Sequence, residues 1–122
     1  MIKLPEEIKS FDQQIANFKA TRWYIADMAT EIHAARLMIH HAAELKNAGK
    51  PFVKEAAMAK LFASEMAMRA CNKAIQIFGG YGYLMDYPVE RYWRDCKLTE
   101  IGEGTSEVQR LVISREVLKE IA

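Results

Sequence analysis

The 122-residue chain has few cysteines, little net charge and no long uncharged apolar segment. Its two cysteines, Cys71 and Cys96, are too few for the disulfide framework of a small secreted protein. A formal net charge of +1 gives no electrostatic reason to bind nucleic acid. No run of about 18 apolar residues lacks charge, so no membrane span is predicted. With no apolar signal segment at the N-terminus, the sequence favours the cytoplasm or the mitochondrial matrix, and no secretion.

Glycine and proline, the residues that interrupt helices, are confined to a few short stretches. Neither occurs between Pro5 and Gly49, so the sequence predicts one long first helix over residues 5–48. An alanine-rich second helix is predicted over residues 52–78, and its small residues indicate a central position against neighbouring helices. The apolar residues of the first helix recur at spacings of three, four and seven, which predicts one buried stripe: Ile15, Phe18, Ile25, Met28, Ile32, Ala35, Ile39 and Ala42.

The sequence GGYGY at residues 79–83 predicts a tight loop in which a helix is implausible. A third helix is expected from Pro88 to about Ile101, capped by Asp86 or Tyr87. The pattern as a whole contains four helices and no strand alternation. It predicts an all-α, up-down helical bundle that forms a single domain over residues 1–122.

Gly102 and Gly104 flank Glu103 just before the fourth helix, for which Ser106 and Gln109 predict a capping box. A loop of this kind can present a carboxylate with unusual freedom, although a solvated surface glutamate is the commoner outcome. The glycines of residues 79–82 fit neither the dinucleotide fingerprint nor the P-loop, which favours a simple turn over a phosphate cradle. Spacing alone therefore leaves both features open.

The three histidines and two cysteines are the residues that could act as metal ligands or nucleophiles. His33, His40 and His41 lack the carboxylates or cysteines that would complete a metal site, so no metal is predicted. Cys71 lies on the alanine-rich helix, where a thiol usually acts as a small apolar side chain, and Cys96 has no evident base. Neither cysteine is predicted to be a nucleophile.

Five segments, read in order, resemble acyl-CoA dehydrogenases, and most closely the short-chain or butyryl-CoA enzymes. The similarity covers nearly all of the chain after about residue 17. The fold that it implies is the C-terminal helical domain of that family. The segments are ADMATE at 26–31, KPFVKEAAMAKLFASE at 50–65, QIFGGYGY at 76–83, YPVERYWRD at 87–95 and EGTSEVQRLVISRE at 103–116.

The resemblance implies that Glu103, which precedes Gly-Thr, is the base that removes the α-proton of an acyl-CoA during fatty acid oxidation. A carboxylate suits this task in an apolar, water-poor pocket, because loss of water strengthens it as a base. By the same resemblance the Glu103 N–H polarises the thioester carbonyl and Gly104 contacts the substrate. FAD is the implied cofactor and accepts the hydride, and an electron-transfer flavoprotein is the implied partner.

The resemblance also implies two sets of FAD-contacting residues. One set lies at the start of the fourth helix, where amide donors suit phosphate oxygens, and consists of Thr105, Ser106 and Glu107. The other contacts the FAD of a neighbouring subunit and consists of Gln76, Ile77, Phe78, Gly79 and Gly80. Cofactor binding and oligomerisation are then linked.

Several positions depart from the family pattern. Ile8, Asp12 and Gln14 replace the arginine, glycine and proline that grip the FAD phosphate, and Lys19 replaces a glutamine that faces FAD. Gly102 stands where an aromatic residue commonly lines the acyl pocket, so substrate preference does not transfer.

The chain also resembles only part of the family's full length, and by that resemblance lacks the first helix of its bundle. We therefore expect an exposed apolar stripe and self-association into a dimer or tetramer, with swapping through a straight helix over residues 5–48 as one route. The isolated chain is expected to show little dehydrogenase activity. The alternative function is a non-catalytic helical oligomerisation module that retains the dehydrogenase scaffold.

Overall fold

The computed structural model of the protein describes residues 18–122, together with the secondary structure of residues 9–10 and 13–14. Two-residue strands β1 (Lys9–Ser10) and β2 (Gln13–Gln14) pair antiparallel. The prediction of an all-α bundle is confirmed, because four helices form nearly all of the rest. They are α1 (Lys19–Asn47), α2 (Val53–Phe78), α3 (Val89–Ile101) and α4 (Ser106–Ile121), with a 3-10 helix at Gly79–Tyr83 between α2 and α3.

Helix α2 lies at the centre, as its alanine content predicts, and each of the other helices packs mainly against it. Ion pairs tie its flanks to α1, through Lys73 with Asp27 and Arg69 with Glu31. Two more tie it to α4, and their order along the chain shows that α4 runs antiparallel to α2. These exposed pairs are worth little individually, so apolar packing dominates the stability. The small or flexible buried residues of α2 permit the close approach: Ala57, Ala59, Ser64, Met66 and Met68.

The buried stripe predicted for α1 is only partly correct. Thr21, Ala35 and Ala42 are buried and fall on a seven-residue repeat, which is the spacing of a helix that follows its neighbour for several turns. Ile25 and Ile39 lie four residues beyond members of this repeat and are exposed. The packing of α1 against α2 thus buries only part of the predicted apolar stripe.

The predicted straight helix over residues 5–48 is wrong at its N-terminal end. Residues 9–10 and 13–14 pair as strands, and α1 begins only at Lys19, after Phe18 in an extended conformation. The absence of glycine and proline permits a helix but does not require one, because helix nucleation is itself unfavourable. The swapped dimer proposed through such a helix therefore loses its structural premise. Expectations for Pro5, Ile8, Asp12 and Ile15 lie outside the described residues.

The segment GGYGY was wrongly predicted to exclude a helix, because it forms a 3-10 helix directly after α2. Its tight winding brings Gly82 so close to α2 that a Cβ atom there would lie 2.8 Å from the Ile75 carbonyl oxygen. Next to this contact, Phe78 and the fully buried Val89 form the local core, with Tyr87 edge-on to Phe78. Glycine is needed here for close approach.

Both predicted helix caps differ from the structure. Helix α3 has Pro88 at its N-cap position with no side-chain cap. The Tyr87 ring packs on Phe78 and Tyr81. Helix α4 is capped by Thr105, whose hydroxyl oxygen accepts from the Val108 N–H at 3.3 Å. Ser106 is already the first helical residue. The end of α2 at Phe78 and the end of α3 at Ile101 agree with the predictions.

We predict that Gly82→Ala lowers the free energy of unfolding by about 1–3 kcal/mol, because its methyl group would collide with backbone. The matched control is Gly80→Ala, which meets nothing within 4 Å in the same 3-10 helix and should change stability by less than about 0.5 kcal/mol. Urea unfolding followed by circular dichroism measures both. Equal effects of the two substitutions would show that the Gly82 contact is not limiting.

Candidate functional site

The loop between α3 and α4 contains the most unusual backbone of the described chain. Glu103 has φ 55°, and it is the only non-glycine residue of the described part in the left-handed region. Gly104 follows with φ 89°. A left-handed conformation costs a residue with a Cβ roughly 1–2 kcal/mol, so surrounding contacts must hold Glu103 in place. Such strain is a recurrent feature of functional positions.

Two side chains hold this loop by its carbonyl groups. The amide nitrogen Nε2 of Gln109 donates to the Glu103 carbonyl at 3.0 Å and to the Gly104 carbonyl at 3.3 Å. The Nζ of Lys60, reaching across from α2, donates to the Gly104 carbonyl at 2.6 Å. A Cβ on Gly104 would lie 2.8 Å from Gln109 Nε2, so the fit is close. Both peptide groups after Glu103 are therefore fixed in direction.

The side chain of Glu103, in contrast, is unconstrained by the described chain. The residue is exposed, and its carboxylate makes no hydrogen bond or ion pair with residues 18–122. Most other glutamates on α2, α3 and α4 pair with a lysine or arginine. The structure thus presents a carboxylate on a fixed backbone, while the water-poor pocket expected for a base is not formed by this part of the chain.

The start of α4 already uses several of its own polar groups. The carboxylate of Glu107 accepts from its own N–H and from the Thr105 hydroxyl, and these hydrogen bonds hold its pKa below the ordinary value. Thr105 in turn caps the Val108 N–H. Ser106 is buried, and its Oγ has no hydrogen-bond partner in the described chain. Of the three residues predicted here, Ser106 is the one with unused hydrogen-bonding capacity.

The second predicted set, at the end of α2, divides into buried and open residues. Ile77 and Phe78 are buried, and Phe78 belongs to the core beside Val89. Gln76, Gly79 and Gly80 are exposed, and a Cβ on either glycine would meet nothing within 4 Å. No hydrogen bond or ion pair in the described chain joins this set to the loop of Glu103. The structure therefore contains two separate surfaces rather than one assembled site.

The two cysteines face each other between α2 and α3, with 3.4 Å between the sulfur atoms of Cys71 and Cys96. Burial, reinforced by the neighbouring Cys96 thiol, raises the pKa of Cys71 to about 12. Cys71 is accordingly a thiol at neutral pH, which agrees with its prediction as a non-nucleophile.

Residues 18–122 contain no group of three or more potential metal ligands. No helix among the described residues is both long and apolar enough to cross a membrane.

Lys60 and Gln109 are the site residues that the sequence analysis missed or assigned differently. The sequence predicts Gln109 as the second residue of a capping box, but its side chain donates to the carbonyls of Glu103 and Gly104 instead. Lys60 lies 44 residues before its partner Gly104, a separation that no local pattern reveals. The sequence does show that Lys60 lies between Ala59 and Leu61 on the most buried helix, α2. A charged side chain at such a position needs a partner, and this was the one indication that Lys60 has a specific contact.

Comparison with known proteins agrees with the four-helix fold. The sequence profile described as "Acyl-CoA dehydrogenase, C-terminal domain" matches residues 1–118. The chain belongs to the acyl-CoA dehydrogenase family and corresponds to its C-terminal helical domain, as the sequence motifs indicated. Proteins of this family are FAD-dependent flavoproteins.

Three relatives illustrate the similarity. The probable acyl-CoA dehydrogenase YngJ of Bacillus subtilis is 62% identical over 93% of this chain and 30% of its own length. Subunit CarC of the caffeyl-CoA reductase-Etf complex of Acetobacterium woodii is 51% identical over 97% of this chain and 31% of its own length. The structure of butyryl-CoA dehydrogenase from Megasphaera elsdenii is 45% identical, with a TM-score of 0.89 over 93% and 30%. The chain thus spans about 30% of the length of the relatives it matches.

We predict that Glu103→Gly raises the free energy of unfolding relative to Glu103→Ala by up to about 1 kcal/mol. Both substitutions remove the carboxylate, so their difference isolates the cost of a Cβ at φ 55°. Thermal unfolding of the two variants measures it. A Glu103→Ala protein that is the more stable of the two would mean that this backbone is not strained.

Proposed function

We propose that this chain is the C-terminal helical part of an FAD-dependent enzyme that acts on the Cα–Cβ bond of an acyl-CoA thioester, with Glu103 as the base. The observation that carries the proposal is the left-handed Glu103, a strained residue whose carboxylate is left without a partner. A solvated surface glutamate has no need of such a backbone. Family membership supports the proposed substrate class and reaction type.

In this proposal Glu103 takes the α-proton onto its carboxylate, which is free to accept it because no cation in the described chain binds it. The N–H of Glu103 donates to the thioester oxygen and stabilises the charge that develops there. Gly104, which has no side chain to obstruct the approach, contacts the substrate. Bound FAD would supply the acceptor for the hydride that leaves Cβ.

The described residues fit an FAD group in part. Gly79 and Gly80 leave open space above their backbone, and Gln76 offers an exposed amide next to them. The unused Ser106 hydroxyl offers a further donor at α4. At that helix start, however, the Glu107 carboxylate competes with a phosphate for the same donors. The open glycine surface is therefore the better supported contact, with Ser106 as the candidate at α4.

The direction of the reaction is part of the proposal. We favour oxidation of the Cα–Cβ bond, as in the dehydrogenases that the motifs resemble. One relative is named as a reductase of caffeyl-CoA in a complex with Etf, which supports a CoA thioester as substrate and an electron-transfer flavoprotein as partner. A base that removes a proton in one direction returns it in the other, so the role of Glu103 is common to both.

A hybrid protein tests the assignment of Glu103. In the hybrid, this chain replaces the matching segment of the 62%-identical relative from Bacillus subtilis. We expect acyl-CoA-dependent reduction of a dye acceptor, and a fall in kcat of about 10²–10⁴-fold in Glu103→Gln, because the amide cannot take a proton. Glu100→Gln, a neighbouring glutamate that pairs with Lys97, is the matched control and should leave kcat unchanged. A flavin-loaded hybrid that retains its rate after Glu103→Gln would contradict the proposal.

A non-catalytic oligomerisation module remains the second candidate function, and one observation favours it. Large apolar side chains project from α4 into solvent, with Leu111 69% exposed, Leu118 60% and Ile121 75%. They lie near one another on the helix and form an apolar strip that a monomer rarely leaves uncovered. A second copy of the chain that covers this strip would give a stable oligomer with no need for a cofactor.

Sizing chromatography with absorbance between 300 and 500 nm separates the two candidates. If the strip drives assembly, the 122-residue chain elutes as an oligomer, and Leu111→Glu with Leu118→Glu shifts it to a smaller species because two charges enter the apolar contact. Arg94→Glu, which changes the net charge equally at an exposed site on α3, is the control. Added FAD that co-elutes as a yellow oligomer supports the flavoenzyme, whereas a colourless oligomer supports the module.

A further inference from the structure

Within residues 18–122, Lys60 makes the one charged contact from another helix to the Glu103 loop, and this contact is not an ion pair. Several lysines of the described chain neutralise a carboxylate, as Lys54, Lys73 and Lys97 do. Lys60 forms no such ion pair within residues 18–122, and its ammonium group donates to a neutral carbonyl, that of Gly104, at 2.6 Å. Its half-buried side chain is thus committed to the loop.

The location of this ammonium group also runs against the preference of the fold. Gly104 immediately precedes Thr105, the N-cap of the 16-residue α4. The N-terminus of a helix carries partial positive charge, so a cation there is unfavourable and an acidic residue is preferred. The chain has an acidic residue available in the same turn, Glu107. The Lys60 ammonium group thus departs from the local rule for a helix N-terminus, and such departures are expected at functional or strained sites.

The geometry identifies what Lys60 does. Gln109 restrains the carbonyl of Glu103 and shares the carbonyl of Gly104 with Lys60. Gly104 has no Cβ to limit its rotation, so without Lys60 the peptide group after it would be held only by the longer Gln109 hydrogen bond, at 3.3 Å. Because that group is linked to Glu103 through one glycine, its rotation would also loosen the left-handed backbone of Glu103 and redirect the carboxylate.

We propose that Lys60 is a positioning residue, which acts through the Gly104 carbonyl to hold Glu103 in its left-handed conformation for proton transfer. This inference rests on the proposed function of Glu103. It assigns to Lys60 no contact with substrate or cofactor. A misplacement of about 1 Å in a reacting group can cost about 10²-fold in rate, so a device that fixes one backbone unit is of catalytic value.

The first arm of the test measures the loop itself, in the 122-residue chain and without any activity. We expect ¹⁵N relaxation order parameters of Glu103, Gly104 and Thr105 near about 0.85 in the unsubstituted chain and below about 0.6 in Lys60→Met. Lys60→Arg, which retains a long charged donor, should restore them. Lys50→Met, at an exposed lysine before α2, is the control. Order parameters unchanged by Lys60→Met would overturn the inference.

The second arm measures kcat and KM in the hybrid protein. Lys60→Met should lower kcat by about 10–10²-fold with KM within about twofold of its value, and Lys60→Arg should recover most of the loss. If Lys60→Met does not fold, Lys60→Gln, whose side chain is too short to reach the carbonyl, is measured in both arms instead. A disordered loop with full kcat would overturn the positioning role. If Glu103→Gln proves active, the proposed function fails, whereas the relaxation data still decide whether Lys60 orders the loop.

Discussion

The packing of three helices against α2 is the contact on which the rest of the structure depends. Its small buried residues, such as Ala57 and Ala59, let α1, α3 and α4 approach one shared axis. The same helix ends in the core residue Phe78 and carries Lys60, which reaches the loop of Glu103. Core and candidate site are therefore supported by one element, and a shift of α4 against α2 would alter both.

Much of this arrangement could be predicted from the sequence, since glycine and proline mark most of the helix ends. The breaks at Gly49 and at Gly102 appear where the sequence indicates them. Other local predictions fail. Residues 9–10 and 13–14 contain no helix breaker yet pair as strands, the GGYGY segment forms a 3-10 helix despite its glycines, and Thr105 rather than Ser106 caps α4. For GGYGY and for the α4 cap, packing against α2 or a neighbouring side chain outweighs local propensity.

The candidate site was predictable only through its motif. Spacing could not distinguish Glu103 from a surface glutamate, and the resemblance of the EGTS segment gave it a role. Neither route could indicate the left-handed backbone or its restraints. Those depend on Lys60, 44 residues from Gly104, and on a Gln109 amide whose direction follows from the way α4 begins. A contact between residues far apart in sequence leaves no local sequence pattern, whereas the glycines that flank Glu103 can be read directly.

The structure separates two requirements of a carboxylate base. Direction is supplied within the chain, because Gln109 and Lys60 fix the peptide groups after Glu103. Exclusion of water is not supplied by the described residues, since Glu103 is exposed. The chain spans about 30% of its relatives' length, so groups beyond it can complete the pocket. Under the proposed function, a carboxylate that is aimed by one part of an assembly and desolvated by another acts as a base only when the two parts meet.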